Sequence, residues 1–148
     1  MIPFKHILVA TDFHASSQRA VEAASALALA SGADVVVEHT FEAPSYAYVG
    51  AEYAMVEVFR TLEEEAQKSL DGVVRALREK GVNARGVLCR GPAWKHILET
   101  AKGAGADVIV IGTHGRTGVP RALIGSVAEK VVRMSPVPVL TVRGEAVG

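Results

Sequence analysis

Apolar and polar positions follow two different periods along this chain, and stretches of the two periods alternate from one end to the other. His6-Ile7-Leu8-Val9-Ala10-Thr11 is a short apolar run and predicts a first strand. From about Ser16 to Ser31, Ala20, Val21, Ala24, Leu27 and Ala28 fall on one helical face, and Gly32 supplies the stop. Asp34 to Thr40 is rich in β-branched residues and predicts a second strand. The segment from Phe41 to Gly50, with Pro44 and two tyrosines, reads as a loop. From about Ala51 to Lys80 the positions Phe59, Leu62, Ala66, Leu70, Val73 and Leu77 step by three or four, which predicts a long amphipathic helix closed by Gly81. Glu63-Glu64-Glu65 belongs to its solvated side.

Val82 to Arg90 alternates weakly and predicts a third strand. Gly91-Pro92 opens a third helix, with Pro in the first turn, where its missing N–H costs nothing. Trp94, Ile97, Leu98 and Ala101 form the inner face of that helix, and Gly103 and Gly105 end it. Ala106 to Gly112 is an unbroken apolar run that suits a central parallel strand covered on both faces. Gly125 to Met134 then predicts a fourth helix, and Val137 to Arg143 a fifth strand. Pro138 cannot donate to a ladder and marks that last strand as an edge or an atypically paired one.

Five strands and four helices in strict alternation predict one α/β domain over residues 1–148, a doubly wound parallel sheet with right-handed crossovers. Sheets of this kind take ligands outside the carboxyl ends of the strands, where the winding reverses. The informative residues are therefore those just after the first, second and fourth strands.

Composition narrows the function. With 49% hydrophobic and 22% charged residues, the chain is not a disordered one. Sixteen basic residues balance 16 acidic ones, which argues against a nucleic-acid coat and against electrostatic docking on anionic lipid. An anionic ligand must be met by local donors. No apolar run approaches the ~18 residues of a membrane span. The amino-terminal residues lack the pattern of a secretory signal, so the expected location is cytoplasmic. Cys89 stands alone, which excludes an internal disulfide, and its setting suits a small buried hydrophobe.

The chemistry concentrates after the fourth strand, in Gly112-Thr113-His114-Gly115-Arg116-Thr117-Gly118 followed by Gly125-Ser126. Glycines let backbone N–H groups approach a phosphate, and a helix N-terminus adds its positive dipole end. The same glycines also suit an ordinary turn from strand to helix. No G-x-x-x-x-G-K-[ST] loop exists, and Gly103-Ala104-Gly105 precedes a strand where a dinucleotide fingerprint would follow one. His14 and His114 invite an acid–base reading, but no carboxylate partner is evident in the sequence. His39 and His96 suit structural roles, His6 an exposed one, and no metal triad emerges.

The spacing Gly112-x2-Gly115-x9-Gly125-Ser126 resembles the ATP-binding signature of the universal stress protein family. The likeness extends to Val9-Ala10-Thr11-Asp12, to Gly91-Pro92-Ala93 with Ile97-Leu98, and to the closing Pro136 to Val142. It implies an adenine-nucleotide α-hydrolase-like sheet of order 3-2-1-4-5. It also implies a homodimer paired through strand 137–143, and bound ATP with Mg²⁺ on its phosphates. By position, Asp12 would hold the ribose, and backbone atoms of Ala10, Thr11 and Thr40 would line the adenine and ribose. Ile111 and Gly112 would flank the sugar, while Gly115, Arg116, Gly125, Ser126 and Val127 would hold the phosphates. Family members commonly carry Ser two residues after the Asp; here His14 stands there, and Ser16 or Ser17 would have to replace its hydroxyl cap. The resemblance implies a stress-response sensor or regulator with slow or no hydrolysis; the alternative is an α/β enzyme that cleaves the nucleotide.

Overall fold

In the computed structural model, which describes residues 4–41, 53–114 and 124–144, the alternation becomes β1 (His6–Ala10), α1 (Ala15–Ser31), β2 (Asp34–Phe41), α2 (Tyr53–Glu79), β3 (Ala84–Arg90), α3 (Ala93–Gly103), β4 (Val108–Gly112), α4 (Ser126–Met134) and β5 (Val139–Val142). The strands form one parallel sheet of order β3-β2-β1-β4-β5. Gly115 and Arg116, most of the loop read at Phe41 to Gly50, and the tail beyond Gly144 lie outside the described residues.

Strand periodicity divides the core in two. Ile7, Val9, Val35, Val37, Val108 and Val110 face α1 and α2, where they meet Ala20, Ala24 and Ala28 of α1 and Leu70, Val74 and Leu77 of α2. Their neighbours Leu8, Ala10, Val36, Ile109 and Ile111 face the other way, onto Ile97 and Ala101 of α3 and Ala128 and Val131 of α4. Each central strand is therefore apolar on both sides, as its unbroken hydrophobic run requires. The alanine stripe of α1 lets that helix approach the sheet closely. Gly32 ends it in the left-handed conformation, its N–H donating to the Ala28 carbonyl.

Several boundaries shift for identifiable reasons. Val82 donates to the Leu77 carbonyl and closes the turn after α2, so β3 starts only at Ala84. Pro138 lies just before β5, where its carbonyl accepts the Ile109 N–H at 3.0 Å. At 27 residues, α2 is about 40 Å long, while the longest strand spans only about 26 Å. The helix outruns the sheet, so Leu62, expected on the inner face, is 40% exposed, and full burial on α2 begins at Leu70. Cys89 is half-buried because β3 is an edge strand, and its Sγ lies 3.7 Å from Thr100 Oγ1. Trp94 is also only half-buried, with Lys130 Nζ 5.1 Å from its ring centroid.

One residue breaks the apolar rule of the interior. Glu38 sits mid-sheet on β2, paired with Ala10 on one side and Val87 on the other, and is 1% exposed. Thr40 Oγ1 donates to its Oε1, and among the described residues it takes part in no ion pair. Burial raises its pKa from 4.5 to about 7, partly offset by the Thr40 hydrogen bond. The folded state therefore keeps a proton that the unfolded chain releases. The carboxyl costs nothing below about pH 4.5; stability falls as pH rises from there and levels off above about pH 7. Glu38→Gln removes the titration. Relative to the unaltered chain, it should gain about 3 kcal/mol in urea denaturation on going from pH 4.5 to pH 8. An identical pH dependence in both proteins would refute this.

Candidate functional site

The loop from Thr11 to His14 leaves β1 as a tightly bonded knot centred on Ser17. The Ser17 hydroxyl donates to Asp12 Oδ1 at 2.6 Å and accepts the Asp12 N–H at 3.1 Å. Thr11 Oγ1 lies 3.1 Å from the same hydroxyl and accepts the Phe13 N–H at 3.0 Å. Asp12 Oδ1 also accepts the His14 N–H at 2.9 Å. The carboxylate is thus held by one oxygen, and among the described residues no group donates to Oδ2. An acceptor is fixed in place at the carboxyl end of β1.

That knot forces Phe13 into the left-handed region at φ 66, which costs a non-glycine residue about 1–3 kcal/mol. Its ring is compensated by packing on His39, centroid to centroid at 4.3 Å. Buried His39 places Nδ1 2.7 Å from the Thr11 carbonyl, which pins the loop to β2. The missing hydroxyl at position 14 is not replaced as a cap: His14 sits at the N-cap of α1 with no side-chain cap bond, and Ser17 serves the loop.

Ser16 has a different task. Its Oγ accepts the His114 N–H at 3.3 Å, joining α1 to the end of β4. A Cβ on Gly112 would lie 2.5 Å from that Oγ and 2.8 Å from the Ser16 carbonyl carbon. Gly112 therefore makes room for α1, whatever it does for a ligand. Ile111 is 5% exposed and spends its side chain in the core beside α4, leaving only its backbone to meet a ligand. Ala10 is likewise buried, opposite Glu38.

Across the crevice, α4 begins at Gly125 and Ser126. The Gly125 N–H donates to the Thr113 carbonyl, which ties the start of α4 to the end of β4. The φ of −63 at Gly125 needs no glycine freedom. The first-turn N–H groups of Ser126 and Val127 precede the first internal acceptor bond, made by Glu129 to the Gly125 carbonyl. Ser126 is exposed, so its hydroxyl is open to a ligand. His114 places Nδ1 3.0 Å from Thr113 Oγ1, while its buried Nε2 has no partner among the described residues.

Thr40 lies one residue before the end of β2, on the same face as Glu38, with Cys89 opposite it on β3. Burial pushes the Cys89 thiol up, so it stays protonated; its hydrogen bond to Thr100 acts the other way. The structure therefore brings Ala10, Thr11, Asp12, Thr40, Ile111, Gly112, Gly125, Ser126 and Val127 to the carboxyl edges of β1, β2 and β4. The roles of Ser17 and Phe13, and the burial of Glu38, were not read from the sequence. Glu38 alone left a signal there, as a charge within an otherwise apolar strand.

Gly91 is a further constraint beside the site. Its φ of 128 is glycine territory, and a Cβ there would meet His96 Nε2 at 2.8 Å. The β3–α3 junction can thus tuck His96 beneath the chain, and its Nδ1 lies 3.6 Å from Glu99.

Among the described residues, no group of three or more His, Cys, Asp or Glu could hold a metal ion, and no helix is long and apolar enough to cross a membrane. The model of the universal stress protein family matches residues 3–143. Universal stress protein MJ0531 of Methanocaldococcus jannaschii is 33% identical over 140 residues, which cover 95% of this chain and 82% of the relative. The solved structure of protein MJ0577 from the same organism superposes with a TM-score of 0.86 at 27% identity, covering 99% of this chain and all of the other. A universal stress protein from Archaeoglobus fulgidus in complex with dAMP superposes with a TM-score of 0.66 at 23% identity, over 95% and 99% of the two chains. With the sheet order, the loop after β1 and the glycine-flanked start of α4 all in place, the chain belongs to the universal stress protein family.

Proposed function

We propose that this protein binds ATP at the carboxyl ends of β1, β2 and β4 and works as a homodimeric regulator or sensor in the stress response, with slow or no hydrolysis. The observation that carries the reading is Asp12. Its carboxylate is locked through Oδ1 by Ser17 and the His14 amide, and Oδ2 is left to accept from ribose hydroxyls. The first-turn N–H groups and hydroxyl of Ser126, with the N–H of Val127, supply donors for phosphate oxygens at a helix N-terminus. Gly115 and Arg116 complete this phosphate side in the proposal. Mg²⁺ would ride on the phosphates. The relative from Archaeoglobus fulgidus was solved with dAMP, so the fold accommodates an adenine nucleotide.

β5 supports the dimer. It pairs with β4 on one side only and ends the sheet, with Leu140 40% exposed. An apolar edge strand is an association hazard unless covered, and self-pairing about a two-fold axis covers it. The cytoplasmic setting belongs to the same proposal.

Three measurements test these points. Calorimetric titration should show ATP binding that Asp12→Ala weakens by about tenfold, while inorganic tripolyphosphate binding is unchanged. An equal loss for both ligands would contradict the ribose role. Turnover with Mg²⁺ should stay far below the enzyme median of ~10 s⁻¹, because the chain lacks the P-loop lysine; a rate near that median would overturn the regulator reading. Sedimentation at micromolar concentration should show a dimer that Leu140→Asp converts to monomer. A dimer indifferent to that change would place the interface elsewhere.

A further inference from the structure

α3 lies over β2 and β3, and β3 is the edge of the sheet. Of its side chains only Ile97 and Ala101 are fully buried, whereas α1 on the opposite face buries six. Trp94 and Leu98 are half-buried. The helix hangs between two glycines at positive φ, Gly91 at 128 and Gly105 at 64, so both of its junctions turn through conformations that other residues avoid. The strand face that α3 covers carries Val36, Glu38 and Thr40 on β2, with Arg85, Val87 and Cys89 opposite them on β3. At the rim of that layer Cys89 Sγ lies 3.7 Å from Thr100 Oγ1 of α3. A thinly anchored helix thus covers a buried carboxyl group and one flank of a thiol.

We propose that α3 is a hinged cover operated by the proton on Glu38: when the carboxyl group ionises, α3 lifts from β2 and β3, water reaches the carboxylate, and Cys89 becomes accessible. A neutral carboxyl group with one hydrogen bond from Thr40 is tolerable in this apolar layer, but a carboxylate there needs a cation or water. Solvating it requires some element to move. β2 is held on both sides by ladders, with Ala10 and Val87 paired to Glu38. Its other face carries the core built on α1 and α2. α4 packs against α3 and β5. Lifting α3 breaks no ladder and exposes only two fully buried side chains, so it is the least costly opening, smaller than the unfolding of the whole domain.

The charges around the layer leave the carboxyl group to itself. On β3, Arg85 is exposed, Cys89 remains a thiol and Arg90 pairs with Glu63. On α3, His96 and Glu99 lie against each other, while Lys95 and Lys102 are exposed. On α4, Lys130 lies over the Trp94 ring and Glu129 pairs with Arg133. β1 contributes Ala10 at the paired position and Asp12 beyond the strand end, and on β2 itself Asp34 pairs with His6. Among the described residues no cation forms an ion pair with Glu38. Burial holds its pKa at about 7 under the closed helix, and an opened helix returns it toward 4.5. Opening therefore becomes easier as pH rises through that range: about tenfold between pH 6 and pH 8, with little further change above.

The test measures amide hydrogen exchange, corrected for its intrinsic pH dependence, and alkylation of Cys89 by iodoacetamide, near pH 6 and near pH 8. The proteins are the unaltered chain, Glu38→Gln and Glu38→Met; neither substitute titrates. In the unaltered chain the amides of α3 should be less protected than those of β1. Their exchange rate relative to Glu38→Gln should rise about tenfold between the two pH values, and relative to Glu38→Met by a similar factor. Alkylation of Cys89, expressed as the same ratio, should rise in the same sense. The charge of ionised Glu38 holds the thiol protonated and slows that reaction, so a rise in the ratio reports exposure and not acidity. Equal ratios at the two pH values in either readout would overturn the proposal. So would α3 amides as protected as those of β1, because the helix would then open only with the whole fold.

Discussion

The close approach of α1 to the end of β4 is the contact on which the site depends. Ser16 lies so near Gly112 that a single added carbon would sit 2.5 Å from its hydroxyl oxygen, and Gly144 packs the same residue from beyond β5, where a Cβ would lie 3.1 Å from the Ser16 Cβ. With that approach, the first turn of α1 reaches across the carboxyl ends of β1 and β4. Ser16 can then accept the His114 amide while Ser17, one residue on, bonds the loop holding Asp12. A bulkier residue at position 112 would push α1 away and separate the two halves of the crevice. The glycine that looks like part of a phosphate signature is here first a packing glycine.

The same contact explains why strain is tolerated at Phe13. The loop must turn within a few residues from β1 into a helix already fixed over β4. The left-handed residue is part of that turn, and Thr11, Ser17 and His39 hold it through the Phe13 amide, the Asp12 carboxylate and the Phe13 ring. An unstrained loop would leave Asp12 with more rotamers and a weaker claim on a ligand. Preorganisation of this kind lowers the ordering cost that binding otherwise carries.

Much of the architecture was legible in the sequence because the relevant signal is periodic and local. Ile7 to Ala10, Val35 to Val37 and Val108 to Ile111 could only be buried strands, and the alanine stripe of α1 could only face a sheet. The glycine spacing around Gly112, Gly115 and Gly125 pointed to the family. What was hidden depends on three dimensions. Leu62 has the spacing of a core residue but falls where α2 has run past the sheet. The bond from the Gly125 amide to the Thr113 carbonyl, which ties α4 to the end of β4, leaves no trace in the spacing. Ser17 looks like any small residue in a first helical turn, and only the fold brings its hydroxyl to Asp12.

Glu38 shows how fold and site are linked. A carboxyl group in mid-sheet, without a cation, works against stability wherever it ionises, and an aliphatic side chain of similar length would fill the space at no such cost. Residues that break a local rule tend to mark functional positions, because the remaining core can tolerate the penalty. The doubly buried strands β1, β2 and β4 provide that tolerance: each packs a layer of helices on both faces, so one polar group within β2 does not unravel the sheet. Thr40, two residues further along the same face of β2, supplies the hydrogen bond that partly offsets the burial.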